Sequence, residues 1–484
     1  MDQNEKKLGV IALAALVVSA MIGGGIYSLP QNMSQSASAA AVIVAWIITG
    51  CGIFFLANSF RILSTAKPEA STGIYAYARL GFGKFAGFQM AWCYWLCNIA
   101  GNVAYAVLLM DALNYFFPGV FAGGNGIWSI LGGSIVIWVM NYAVLRGVHQ
   151  ATFINMLGTI CKLLPILLFI VVMIVVFQIP SFELNFTKGP AGADFGDQIK
   201  STMLVTLWAF IGIEGAVVIS GRAKSQNAVG WATVLGFLCC LVIYILLSLL
   251  PFGVMSRASL ATLENPSAAP LLAHVVGHWG GVVMNLGVII ALLTSWLAFT
   301  IMIAQIPYAA AQDGTFPKLF RHENAHGSPS VSLWVTSGIM QLAMILVYFA
   351  NNAWNTMLSV TAVMILPPYL ACTAYLWKIC VKGEYPENAP VRKEFALLCG
   401  VAGTVYALWM IYAAGLSYLF MALVFMAVGI PVYIRAHQEL SAEPPQAGKT
   451  VPPCFTKGEL ICAVALCFAA IAAIICFAMK IIKL

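Results

Sequence analysis

Along this chain the apolar residues come in long uncharged blocks separated by short polar loops, not at the 3.6-residue or two-residue spacing of a half-buried soluble element. Each block has the roughly 17–25 residues that cross about 30 Å of hydrocarbon as a helix. Thirteen spans are predicted, over 9–29, 37–59, 86–117, 127–145, 155–179, 201–220, 227–252, 276–311, 331–350, 355–378, 395–413, 416–434 and 458–480. The first follows Lys6 and Lys7 and continues through Gly23-Gly24-Gly25 to Pro30 without a small-residue cleavage site, so it is expected to stay as a span and not to leave as a signal peptide.

The loops are short; the largest are 180–200, 253–275, 312–330, 379–394 and 435–457. The last contains Glu443-Pro444-Pro445-Gln446-Ala447-Gly448, a flexible-linker composition. The expected organisation is therefore a twelve-helix body over 1–435, a linker over 436–457 and one appended helix at 458–480. Within the body, the first span is interrupted by the Gly triplet and the sixth by Gly212 and Gly215 around a lone carboxylate, in Phe210-Ile211-Gly212-Ile213-Glu214-Gly215. Gly-interrupted spans at matching places of two five-helix halves, here 9–179 and 201–378 with accessory helices over 395–434, point to an inverted-repeat carrier with its site at the midplane. The competing reading is close helix packing, which small residues also serve.

Composition agrees: apolar residues are 61% of the 484 and charged residues 8%, too few to solvate a surface in water. Nineteen of the 24 Lys and Arg fall in loops on the N-terminal side and only Lys188, Lys200, Arg257, Lys480 and Lys483 on the other, which predicts a cytoplasmic N-terminus in an inner membrane. Topology thus accounts for the net charge of +7 without a nucleic-acid partner. Most of the thirteen Cys lie in apolar runs, where the thiol acts as a small hydrophobe, so neither a disulfide nor a metal site is expected. The six His (149, 274, 278, 322, 326, 437) lack partners at ligand spacing, and no intramembrane nucleophile and base stand together, so an enzyme is not expected and no cofactor is implied. Nor does a ring motif of a channel filter occur.

Specific motifs add a resemblance. Ser19-Ala20-Met21-Ile22-Gly23-Gly24-Gly25-Ile26-Tyr27-Ser28-Leu29-Pro30-Gln31-Asn32-Met33 in the first span, Gly73-Ile74-Tyr75-Ala76-Tyr77-Ala78-Arg79, Tyr94-Trp95-Leu96-Cys97 with Gly101-Asn102 in the third, and Thr206-Leu207-Trp208-Ala209-Phe210-Ile211-Gly212-Ile213-Glu214-Gly215-Ala216 in the sixth carry it. Over roughly 5–435 the chain resembles the basic amino acid/polyamine antiporters of the amino acid-polyamine-organocation superfamily, most closely the arginine/ornithine and arginine/agmatine exchangers. The resemblance implies an all-α fold of five plus five inverted helices with the first and sixth unwound. It also implies two further helices that mediate contacts in a homodimer, and one-for-one exchange of cationic solutes.

A carrier of a cationic amino acid must satisfy a carboxylate, an ammonium and a distal cation away from bulk water. The amides of Ile22, Gly23, Gly24 and Gly25 suit the carboxylate, because Gly permits close approach. Trp208 offers an indole face to the cation, an attraction of about 2 kcal/mol when desolvated, although membrane Trp also serve as interfacial anchors. Ile211 of the same motif is placed in the site with it. Glu214 is the only acid of the span 201–220. The resemblance groups it with Tyr94 and Tyr369 as a gate facing the external side; the alternative is a hydrogen-bonded acid that ties helices together. Asn102 and Thr361 match substrate-recognising positions of the family, and either could instead bond between helices.

In the eighth span the family's aromatic gate precedes a Thr-aliphatic-Met run; here Phe299 holds that place before Thr300-Ile301-Met302, and Trp296 lies one turn earlier. Phe299 is the expected gate, and its weaker cation–π face leaves lysine, histidine or their amines open. Lys162, in Ile160-Cys161-Lys162-Leu163-Leu164-Pro165, is read either as a Lys snorkelling at the cytoplasmic interface or, as in sodium-independent relatives, as a substitute for the sodium ion that ties the first and fifth helices. The resulting expectation is an antiporter taking in arginine against ornithine or agmatine. The alternatives are lysine/cadaverine or histidine/histamine exchange, a uniporter, a proton-coupled permease, or a receptor derived from a carrier.

Overall fold

The first apolar span does not survive as one helix. It forms α1 (Val10–Met21), bends at Gly23 with extended dihedrals, winds into a short 3-10 turn over Gly24–Ser28, and resumes as α2 (Leu29–Ser36) with Pro30 in its first turn. This computed structural model describes residues 10–67, 70, 74–147, 151–214, 226–442 and 453–481. Gly73, His149, Gly215, the linker stretch 443–448 and the loop cations Lys6, Lys7, Arg222, Lys224, Lys449 and Lys483 lie outside the described residues.

The chain continues through α3 (Ala39–Ala66), α4 (Ile74–Phe82), α5 (Lys84–Asn114), α6 (Ile127–Leu145), α7 (Ala151–Val176), α8 (Ile179–Phe186) and α9 (Phe195–Ala209). The second half holds α10 (Gln226–Leu249), α11 (Arg257–Ala261), α12 (Ala268–Val276), α13 (His278–Gln312), α14 (Ser330–Leu346) and α15 (Ala353–Val381). The chain closes with α16 (Lys393–Val428), α17 (Ile430–Ser441) and α18 (Lys457–Ala478). Among the described residues, nine helical stretches are long and apolar enough to cross a membrane, and α7 with α8, bent by 98°, makes a tenth. The first and sixth spans miss that count because their breaks leave pieces of 12 and 15 residues. The spans predicted over 395–413 and 416–434 meet at a kink in α16, at Gly415, whose φ of 78° and ψ of 163° are not helical.

The two halves share a feature that apolar patterning hides. A nine-residue helix precedes the long third helix of each: α4 before α5, and α12 before α13. Each pair is joined by one glycine in nearly the same left-handed conformation, Gly83 (φ 100°, ψ 177°) and Gly277 (φ 92°, ψ −178°). A side chain would be strained there, so both elbows require Gly.

α5 and α15 run antiparallel through the core and set its depth scale. From one end to the other, Gly81 meets Lys378 through its carbonyl, Tyr94 and Tyr369 share Glu214, Gly101 faces Thr361, and Asn125 bonds the Ala350 carbonyl at 2.9 Å. Trp95 of α5 and Trp354 of α15 are among the largest fully buried side chains, as are Trp296 and Trp46, the last packed against Phe210 and Tyr244.

Candidate functional site

Two breaks face each other at the middle of that ladder. In the sixth span α9 stops at Ala209, and turns closed by Phe210 N–H to Leu207 and Ile211 N–H to Trp208 (3.0 and 3.1 Å) lead to Gly212 at φ 107°, a conformation open to Gly. In the first span the amide of Ile22 donates to Val18 (2.8 Å) and that of Gly23 to Met21 (3.0 Å). Two of the four amides expected to face a carboxylate are therefore already engaged within the chain. Gly24 and Gly25 open the 3-10 turn, whose first amides find no partner inside it.

The triplet is also a packing surface. A Cβ at Gly23 would lie 2.3 Å from the Tyr105 hydroxyl, one at Gly24 2.2 Å from Leu292, and one at Gly25 1.6 Å from the Trp208 indole. The ligand and packing readings thus meet in the same glycines.

A small buried cavity sits between the breaks, with about 30 Å³ of space for water centres. That holds a water or two and not an amino acid, so a guest of that size requires movement. Gly23, Asn102, Trp208, Ile211, Phe299 and Thr361 line it; Ile22, Gly24, Gly25 and Trp296 do not. Asn102 is 1% exposed and neither its carboxamide oxygen nor its nitrogen has a protein partner. A buried carboxamide left wholly unpaired costs about 1–3 kcal/mol, so its place is set by something other than folding stability. Thr361 spends its hydroxyl on the Met357 carbonyl (2.7 Å) and turns its methyl to Gly101, where it would lie 3.5 Å from an added Cβ.

Two lining side chains are not singled out by motif. Tyr105 stacks edge-on against Phe299, with centroids 5.9 Å apart, and Asn98 donates to the Tyr94 carbonyl at 2.7 Å. Asn98, Asn102 and Tyr105 follow the i, i+4, i+7 spacing of one helical face, the signal that finds them. Trp296 is wholly buried on the neighbouring turn, its indole N–H without a protein partner.

Tyr94, Glu214 and Tyr369 come together. The Tyr94 hydroxyl donates to Glu214 Oε1 at 3.0 Å, Tyr369 donates to Oε2 at 2.8 Å, and the Gly212 amide reaches Oε2 at 3.1 Å. They lie between the cavity and the end of the bundle where α5 begins and α15 finishes. Beyond them Arg79 of α4 closes on Asp313 at the foot of α13 (3.1 Å) and bonds Thr315 (3.3 Å). Toward the opposite end, Trp354 packs edge-on against Trp208 (5.4 Å) and donates to Asn32 (3.3 Å). Asn32 bonds Asn355 and Asn355 bonds Gln35, both at 3.0 Å. Outside this contact opens a vestibule of about 460 Å³ edged by Asp197 and Lys200.

Lys162 does not snorkel. It is 1% exposed, and its Nζ donates to the Ser19 carbonyl at 2.6 Å, while the Tyr27 hydroxyl donates to the Lys162 carbonyl at 2.6 Å and that of Tyr244 to the Met21 carbonyl at 3.0 Å. At the C-terminal end of α1 the Ser19 carbonyl is bonded by a cation, and the Met21 carbonyl by a phenol beside the Gly23 amide. Lys162 therefore belongs to the buried junction of α1 and α7 and not to the loop charges.

The family model for amino acid permeases matches residues 8–442. An arginine/agmatine antiporter of Chlamydia felis is 53% identical over 489 residues, covering 100% of this chain and 99% of the relative. Antiporters of the same description from Chlamydia pneumoniae (57% over 440 residues, 90% and 91%) and Chlamydia trachomatis serovar L2 (55% over 431 residues, 88% and 89%) are similarly close. With broken helices around a buried cavity, membrane-length apolar helices and this identity along its length, the chain belongs to the amino acid permease family of the amino acid-polyamine-organocation superfamily and is a multi-pass membrane transporter.

Proposed function

We propose that this permease imports arginine in exchange for agmatine, its decarboxylated product, by alternating access. The observation that carries the reading is Asn102, a buried and unpaired carboxamide aimed into a cavity walled by Trp208 and Phe299. An amide able to donate and accept suits the ammonium or carboxylate end of an amino acid, and the aromatic walls suit a guanidinium common to both solutes. The names of the Chlamydia relatives supply the pair. In their usual charge states the exchange exports one positive charge per turnover.

The Lys-rich end bearing Arg79 and Asp313 is taken as cytoplasmic in an inner membrane, which makes Tyr94, Glu214 and Tyr369 the inner gate and the Asn32, Asn355 and Trp354 contact the outer one. Lys162 stands in for a coupling sodium ion.

Uptake of labelled arginine into vesicles preloaded with agmatine, ornithine, cadaverine or histamine tests the pair. Arginine uptake that requires internal agmatine, with an inward-negative potential generated by turnover, is the expected result. Uptake into unloaded vesicles would replace the exchanger by a uniporter, and preference for ornithine would replace the partner.

A further inference from the structure

α18 lies beyond the residues that the permease family model matches, yet it is built into the transport core through one carboxylate. Glu459 completes the capping box of its own helix, where its Oε2 accepts from the Thr456 amide and hydroxyl at 2.9 and 3.0 Å. Its other oxygen, Oε1, accepts the amide of Phe85 at 3.0 Å, in the first turn of α5. α5 begins at Gly83, which has no side chain to cap the helix. Glu459 thus supplies from a distant helix the acceptor and the negative charge that the α5 N-terminus lacks. Rings of Phe85, Tyr433 and Phe455 surround the contact with centroids 5.2–5.4 Å apart, and Tyr433 bonds the Cys454 carbonyl at 2.9 Å.

The place of this contact gives it a consequence for transport. Gly83 is the elbow between α5 and α4, and α4 carries Arg79, the residue that closes on Asp313. A Cβ on Gly83 would sit 2.7 Å from Glu459 Oε1, so the carboxylate fills the space beside the elbow that a side chain would take. The corresponding elbow at the other end, Gly277, has the same backbone conformation with no atom within 4 Å of its Cβ position, and α13 starts against the neutral phenol of Tyr115, 2.9 Å from His278 Nδ1. One elbow of a matched pair is clamped by charge and the other is not.

We infer that Glu459 is a positioning residue that clamps the α4–α5 elbow and biases the carrier toward the state closed at the cytoplasmic face. A bias between two access states moves apparent affinity in opposite directions at the two faces, which a general loss of stability does not do.

The test measures KM for arginine separately at the outer and inner faces in proteoliposomes of fixed orientation. Glu459→Ala is expected to raise the outer KM and lower the inner KM, each by about 3–10-fold. Glu459→Gln keeps the acceptor and loses the charge, so it should shift both by about 2–3-fold in the same pattern, and it is the variant to read where the alanine form is not recovered folded. Values unchanged at both faces, or moved in the same direction, overturn the clamp. The measurement rests on the exchange reading, and the unsubstituted chain separates the two: absence of exchange there refutes the proposed function and not the clamp.

Discussion

Gly25 and Trp208 occupy adjoining space so tightly that a Cβ on the glycine would lie 1.6 Å from the indole Cη2. One break of the bundle therefore positions the aromatic wall contributed by the other. Gly25→Ala must push Trp208 from the cavity, and exchange is expected to fall by more than about tenfold. Gly50→Ala, whose Cβ would be 3.2 Å from the flexible end of Leu241, is the control and should retain most of it. Equal activity in the two variants, measured as initial exchange rates, would remove Trp208 placement as the reason for the triplet.

Replacing the indole itself tests the cation face. Trp208→Leu should weaken arginine binding by about 1–2 kcal/mol, roughly 5–30-fold, with insertion and folding intact. Equilibrium binding of arginine to the purified protein is the measurement, and an unchanged dissociation constant would place Trp208 outside the site.

Asn102 predicts a split between stability and function. Because neither atom of its carboxamide is paired inside the protein, Asn102→Leu should leave thermal stability equal or improved, while arginine affinity drops by about tenfold or more. A variant that is both destabilised and fully active would mark Asn102 as an ordinary helix-packing residue.

The eighth span offers a paired test. Phe299 lines the cavity and Trp296 is wholly buried beside it. Phe299→Trp is expected to keep or improve arginine affinity, indole being the stronger cation–π face. Trp296→Ala should instead act on folding, by about 3–5 kcal/mol, because it empties a packed site. Normal stability with lost affinity in the Trp296 variant would transfer the gate to that residue.

For Lys162, exchange should proceed unaltered when choline replaces sodium, since an ammonium already occupies the junction of α1 and α7. Lys162→Met should slow exchange by about an order of magnitude by removing the charged donor that links α7 to the end of α1 at Ser19. Dependence of the unsubstituted protein on sodium would contradict this.

Hydrophobic length alone marked where the long apolar helices run and in what order, because a bilayer admits only backbone whose hydrogen bonds close within helices, and that demand is local. Local too were the breaks at Gly23–Gly25 and Gly212, where the residue type betrays the backbone. Depth and pairing were not local. Lys162 sits twelve residues into an apolar helix, and nothing in its neighbours along the chain says that its ammonium finds Ser19 and not the interface. Tyr94 and Tyr369 could be grouped with Glu214, yet the end of the bundle that they close follows only from the antiparallel course of α5 and α15. The choice between Phe299 and Trp296, one turn apart on one helix, depended on how α13 is rotated against α5, where Tyr105 meets the phenyl ring. The contact from Glu459 to Phe85 spans 374 positions. Chain order carries the energy of each helix against lipid, which is additive along the sequence, whereas rotation, depth and cross-bundle bonds are set by side chains competing for the same buried volume, a sum over pairs that only the folded arrangement resolves.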